Sequence, residues 1–260
     1  MSAFRKAVTA CAVAGAGLVL AVVPAGSALA GTGTTVGQTG PPIPNFTWTS
    51  GFEQVQTDAA MPAGGVVTSL QTQSGSCPFA TGVYDFQVLR PLGGGQYQVL
   101  GDTGNQTNPC DGQLHSYPVN IPVQAGDVIG VYVVSDWQGA LSTSGGPIVS
   151  GLISKPAVGD TVALGSPQFG TNDESATLVT AGEAAATLVS DATGLAPGSA
   201  LAHQATAIQA AVNRGDTATT CTGITDFLGL VQSQIGKKLS QANATLLTTD
   251  ANNLSAALGC

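Results

Sequence analysis

The apolar residues of this chain change period near Ser190, and that change limits the fold more than any other feature. Before it, apolar side chains recur at every second position in short runs between Gly- and Pro-rich turns. After it, they recur three and four residues apart. Period two belongs to half-buried strands, and the longer spacing to one face of a helix. The expected plan is a β-sandwich over residues 45–190, a linker over 191–198 and a three-helix module over 199–260.

The strand signals are specific. Val66 to Leu70 follows a Pro-Ala-Gly-Gly turn. Val83 to Arg90 sets Tyr84, Phe86 and Val88 against Asp85 and Gln87, and Pro91 to Gly95 then turns the chain into Tyr97-Gln98-Val99, a hairpin. His115, Tyr117, Val119, Ile121 and Val123 share one face; Pro118 and Pro122 cannot donate to a ladder, so this strand belongs at an edge. Val128 to Val134 is apolar throughout and reads as a central strand covered on both sides. Pro147 to Ile153, Ala176 to Thr180, Ala185 to Val189 and a first strand around Phe46 and Trp48 complete the set. About eight short strands between such turns make an antiparallel two-sheet sandwich, with a jelly-roll arrangement favoured. Residues 31–44 show no apolar period and are expected to be flexible.

From Ser199 the pattern is helical. Leu201, Ala205, Ile208 and Val212 form the first stripe, and Asp216 caps the second helix, whose stripe is Cys221, Ile224, Leu228, Val231 and Ile235. Gly236 stands where a left-handed C′ residue is wanted. Ser240 is an N-cap with Leu239 and Ala244 at staple positions, and Leu247, Ala251, Leu254 and Leu258 give the third stripe. Short turns make the three helices an antiparallel bundle.

Cys77, Cys110, Cys221 and Cys260 follow the leader and allow three pairings. The division into a sandwich and a bundle selects Cys77 with Cys110 and Cys221 with Cys260. Antiparallel helices of similar length bring the first turn of one, at Cys221, beside the end of the other, at Cys260. No C-x-x-C occurs, which removes a redox motif and a Cys-x-x-Cys zinc site.

The segments Ile224-Thr-Asp-Phe227-Leu, Val231-Gln-Ser-Gln-Ile-Gly-Lys-Lys-Leu239 and Ala257-Leu-Gly-Cys260 resemble the FIMAH domain, a small all-helical module at the ends of secreted bacterial proteins. That module accompanies enzymes and non-enzymes alike, so the resemblance implies an accessory role and lends no catalytic residue. Met61-Pro-Ala-Gly-Gly-Val66 and Ile121-Pro-Val-Gln-Ala-Gly-Asp-Val128 are similar to secreted actinobacterial sandwich proteins without an assigned activity. This second resemblance implies a fold only.

Residues 1–30 read as a cleavable signal peptide. Arg5 and Lys6 precede the uncharged run Ala7 to Val23, Pro24 and Gly26 break it, and Ala28-Leu29-Ala30 is a small-x-small cleavage site. The expectation is a secreted extracellular bacterial protein, with cysteines in an oxidising compartment and no membrane association after cleavage. The chain has 7 Lys and Arg against 15 Asp and Glu, and the leader takes two of those cations away. Nucleic acid needs clustered cations, and only Lys237-Lys238 pair up, so nucleic acid is not an expected partner. Charged residues are 8% of the chain, so Thr, Ser, Asn and Gln must cover its polar faces.

Catalytic motifs are scarce. The segment after the leader has no G-x-S-x-G, H-E-x-x-H, P-loop or G-x-G-x-x-G. His115 lies on a strand face with Tyr117, and His203 lies off the apolar stripe of its helix. Asp102 to Asp111 offers oxygens at intervals of three, but not at EF-hand spacing; no metal and no cofactor are expected. Trp137, between Asp136 and Gln138, follows an apolar strand at a sandwich end, where an indole can stack on a sugar ring while its neighbours take the hydroxyls; the other reading is a plug that closes the end of the core. The expected function is non-catalytic binding of a glycan, cell-wall polymer or protein through the sandwich, and the alternative is a secreted hydrolase of unrecognised type. His115 beside a Ser and an Asp, or a close carboxylate pair in an open cleft, would favour the hydrolase.

Overall fold

The computed structural model describes residues 33–39, 50–74, 82–135, 141–195 and 199–260. Strands β1 (Thr34–Gln38), β2 (Phe52–Ala60), β3 (Gly65–Gln73), β4 (Val83–Gly93), β5 (Gln96–Asp102) and β6 (Gln106–Thr107) come first. They are followed by β7 (Leu114–Val123), β8 (Val128–Ser135), β9 (Leu141–Leu152), β10 (Thr161–Ala163), β11 (Ser166–Asn172) and β12 (Glu174–Val179). Four helices end the chain: α1 (Ala181–Leu195), α2 (Ala200–Asn213), α3 (Thr217–Gln234) and α4 (Gln241–Leu258). No helix among the described residues is long and apolar enough to cross a membrane.

The strands form two sheets, β1-β12-β3-β7 and β10-β5-β4-β8-β2-β9-β11, with β6 added to β4. Setting β6 and β9 to β11 aside leaves eight strands that pair first with last. β1 lies on β12, β2 on β8, β3 on β7 and β4 on β5, all antiparallel. A long ladder folded over in this nested order is a jelly roll. The proline-bearing β7 is an edge strand and the apolar β8 lies between β4 and β2, both as its composition requires. Gly94 and Gly95, at φ of 60° and 76°, turn β4 into β5 in a backbone region costly for other residues.

Apolar burial falls into three clusters. Val67, Leu70, Tyr84, Phe86, Val88, Ile129, Val131 and Leu178 fill the space between the sheets. Val55, Leu89, Tyr97, Val99 and Val128 occupy the opposite side of the larger sheet, with Val162 and Leu164 folded onto them. The third cluster joins the helices through Leu188, Ile208, Phe227, Val231, Leu247 and Leu254, and it includes Val66 and Val179 of the smaller sheet. The helical region therefore shares a core with the sheet, and α4 packs on β3 and β7.

Four sequence expectations require correction. Thr34–Gln38, inside the segment expected to be flexible, pairs with β12, because its one large apolar side chain, Val36, enters the inter-sheet core. Ala185 to Val189 belongs to α1 and not to a strand. Ala184, Ala185, Leu188 and Ala192 make one buried helical face, and Thr180 with Glu183 forms a capping box. Among the described residues the helices consequently number four, not three, and residues 191–195 of the expected linker are the end of α1. β2 escaped notice because Glu53, Gln54 and Gln56 look like surface residues, yet all three are buried. The leader and the Phe46–Trp48 strand lie outside the described residues.

The caps expected at Asp216 and Ser240 form, accepting from the backbone N–H groups of Thr219 and Asn243. Ser199 caps α2 in the same way, accepting from Ala202 N–H. Cys221 and Cys260 are bonded, with their Cα atoms 5.6 Å apart. Cys110 is also in a disulfide, while its expected partner Cys77 lies outside the described residues.

Candidate functional site

Trp137, Asp136 and Gln138 lie outside the described residues, but the strand end that leads to them is placed. Ser135 closes β8, and its hydroxyl accepts from the N–H of Val83 at 3.0 Å, so the end of β8 sits beside the start of β4. His203 is exposed on α2.

His115 does stand close to an aspartate and a serine. Its Nε2 lies 2.8 Å from Asp111 Oδ1, and Ser74 Oγ donates to the same oxygen at 2.7 Å. The order is wrong for nucleophilic catalysis, in which a serine hands its proton to an imidazole backed by a carboxylate. Here the carboxylate sits in the middle. Ser74 is buried and also accepts from the N–H groups of Asp111 and Gly112 at 3.3 and 3.0 Å. With Ser74 N–H donating to Gln113 O, these bonds clasp the loop before β7 to the end of β3. Hydrogen bonds from His115, then Ser74 and the Gln113 N–H, hold the Asp111 carboxyl below its ordinary range.

The loop from Asp102 to Asp111 uses its oxygens itself. Asp102 Oδ1 accepts from Gly104 N–H, Asn108 Oδ1 accepts from Cys110 N–H, and Asn105 Oδ1 receives the Lys155 ammonium. No three His, Cys, Asp or Glu side chains gather as metal ligands among the described residues.

Lys155 leads to a second polar group, on the side of the larger sheet away from the jelly-roll core. Asp85, Tyr132, Glu53 and Gly151 stand opposite one another on β4, β8, β2 and β9. Lys155 Nζ is 2.8 Å from Asp85 Oδ2, and Thr103 donates to Asp85 Oδ1 at 3.2 Å. Burial raises the Asp85 pKa, and the lysine opposes that rise. Glu53 is wholly buried with no hydrogen-bond partner on either oxygen among the described residues. A Cβ on Gly130 would come within 3.3 Å of Glu53 Oε1 and 2.5 Å of the Gln54 carbonyl oxygen, so glycine is required beneath this carboxyl.

Burial, then the charges of Glu174 and Asp85, push the Glu53 pKa well up, and the fold prefers the neutral acid. The sign for stability follows from linkage. A raised folded pKa gives a contribution fully present below the unfolded value and lost as pH rises through the folded one. Glu53→Gln should therefore match the parent near pH 4 and exceed it at pH 8 in urea denaturation. Equal midpoints at pH 8 would show that the carboxyl is solvated. A hydrolytic pair needs one acid, one base and access for water; Glu53 and Asp85 are both sealed.

The outward face of the smaller sheet is of a different character, exposed at its rim with Ser69 and Ser175 buried within it. Ser116, Gln71, Ser175 and Gly37 form one row across β7, β3, β12 and β1, and Pro118, Ser69, Thr177 and Thr35 form the next. Gln73 pairs with Leu114 beyond them. Ser175 donates to Gln71 at 3.4 Å and Ser69 to Thr177 at 2.9 Å, joining the strands by side chains as well as backbone. These ten residues carry no charge. Thr35, Leu114, Ser116 and Pro118 are exposed, and Gln71, Gln73 and Thr177 are partly so. α4 occupies the far end of β3 and β7, so the face is a shelf bounded by a helix. Composition hinted at it, since so few charges force Thr, Ser and Gln onto surfaces, but only strand register gathers them.

No protein-family model matches the chain, and no curated protein matches it.

Proposed function

We propose that this chain is a secreted, non-catalytic binding protein that recognises a glycan or cell-wall polymer through its sandwich. The observation that carries this reading is the uncharged shelf of hydroxyls and amides on the smaller sheet, with Leu114 and Pro118 exposed among them. Neutral polysaccharide offers matching chemistry: many hydroxyls that give and take hydrogen bonds, and apolar ring faces. Jelly rolls include lectins, although fold alone assigns no function. Secretion is compatible with the Cys221–Cys260 disulfide, which an oxidising compartment maintains. A helical module of FIMAH type would act as an accessory to the sandwich. Trp137, flanked by Asp136 and Gln138, remains the nominated stacking residue.

One shelf gives weak affinity, and a repeating polymer raises it through multiple engagement. Co-sedimentation with insoluble cell-wall polysaccharides tests this reading. Retention should fall at least tenfold in Gln71→Lys and in Trp137→Ala, with unfolding midpoints close to the parent. Unchanged retention in Gln71→Lys removes the shelf from the account, and a several-kcal/mol loss of stability in Trp137→Ala makes that side chain a core plug. The alternative, a hydrolase, would draw on Glu53 and Asp85, which share one row of the larger sheet. It requires that row to open, and release of reducing ends during the same incubation would favour it.

A further inference from the structure

We propose that the interior of the sandwich holds a calcium ion between Glu174 and Thr72 of the smaller sheet and Gln54 and Gln56 of the larger. Glu174 and Thr72 stand directly opposite each other on β12 and β3. They face inward, because Ala176 and Leu70, the next pair on the same side, belong to the inter-sheet core. Gln54 and Gln56 stand beside Val131 and Ile129 of β8, which line that core from the larger sheet. Val55, between the two glutamines, packs on the opposite side. The sheets approach closely here. A Cβ on Gly37 would lie 2.5 Å from the Glu174 carbonyl oxygen and 2.7 Å from Ile129 Cδ1, and Ile129 is the partner of Gln56.

All four side chains are at most 2% exposed. Among the described residues, both oxygens of Glu174, both amide atoms of Gln54, Gln56 Oε1 and Thr72 Oγ1 have no hydrogen-bond partner. Native interiors leave few buried polar atoms unmet, because nothing then offsets their desolvation, and such atoms mark a water or an ion. Five of these six atoms are oxygens. The sixth, the Gln54 amide nitrogen, needs an acceptor, which a water on the ion supplies.

Charge selects the ion over water alone. Asp173, wholly buried next to Glu174, adds a second carboxylate, and its Oδ2 accepts from Gln73 N–H. No Lys or Arg occurs in β1, β2, β3, β8 or β12 to balance the two. His115, across Thr72 from Glu174, is engaged with Asp111. Burial first, then the charge of Asp173, pushes the Glu174 pKa well up, and a divalent cation removes that penalty. Carboxylate, amide and hydroxyl oxygens together are a calcium donor set; magnesium demands a tight octahedron and keeps its waters, and zinc takes nitrogen and sulfur. Glu174 and Thr72 are chain neighbours of Ser175 and Gln71, so the ion lies directly behind the uncharged shelf.

Equilibrium dialysis of the full oxidised chain, first treated with EGTA, against calcium or magnesium chloride at constant ionic strength counts the bound metal. One calcium per chain is expected, with an unfolding midpoint that rises with calcium and not with magnesium. Glu174→Gln should weaken calcium binding roughly 100-fold, and Thr72→Val, which keeps the shape and removes one oxygen, about tenfold. No saturable calcium below about 1 mM, an equal rise with magnesium, or parental affinity in both variants overturns the proposal. Should Glu174→Gln not fold, the metal count of the parent and the affinity of Thr72→Val decide it.

Discussion

Phe227→Ala is expected to destabilise the helical region by about 3 to 5 kcal/mol, the range for deleting a wholly buried aromatic ring. Phe227 is the largest fully buried side chain of the helices and lies in one cluster with Ile208, Leu188, Leu247 and Leu254. Its removal leaves a cavity that four helices anchored to a sheet cannot readily close. The cluster also contains Val66 and Val179, so the loss should weaken the seat of the helices on β3 and β12. Urea denaturation followed by helical circular dichroism measures it. A loss below about 1 kcal/mol would mean that the ring sits at a surface, contrary to the packing described.

The second large effect is expected from the paired change Cys221→Ser with Cys260→Ser. The bond spans 39 residues and ties the second turn of α3 to the residues after α4. The chain-entropy model assigns roughly 4 kcal/mol to a loop of that size. The variant is a cleaner test than a reductant, because Cys110 is disulfide-bonded as well. The helices should melt at markedly lower urea than in the parent, with α4 first to lose amide protection. Coincident melting curves would place the closing bond outside the stability of the bundle.

The fold was legible where local chemistry and tertiary need agree. Pro118 and Pro122 marked an edge strand, the unbroken apolar run of β8 marked a central one, and Ser199, Asp216 and Ser240 marked three helix starts. It was illegible where tertiary burial overrides polarity. Glu53, Gln54 and Gln56 hid β2, and no periodicity can announce a carboxyl buried over a glycine of a neighbouring strand. Phe227 was missed for a smaller reason. The stripe through Cys221, Leu228 and Ile235 is turned by one residue from the deeply buried line Thr220, Ile224, Phe227 and Val231. The capping box Thr180-Ala-Gly-Glu183 was the available signal for α1, and its alanines read equally well as strand. The shelf depends on which residues face each other across four strands, information that a single sequence does not carry.

In the proposed function the sandwich binds polymer through an uncharged sheet face and does not turn it over. The most direct test is equilibrium co-sedimentation of the oxidised protein with purified cell-wall polysaccharide near pH 5.5, with soluble reducing ends assayed in the same tubes. Saturable retention that persists in high salt is expected, because the face is uncharged, together with no release of sugar. Salt-sensitive retention, no retention on any polymer, or steady release of reducing ends would contradict it.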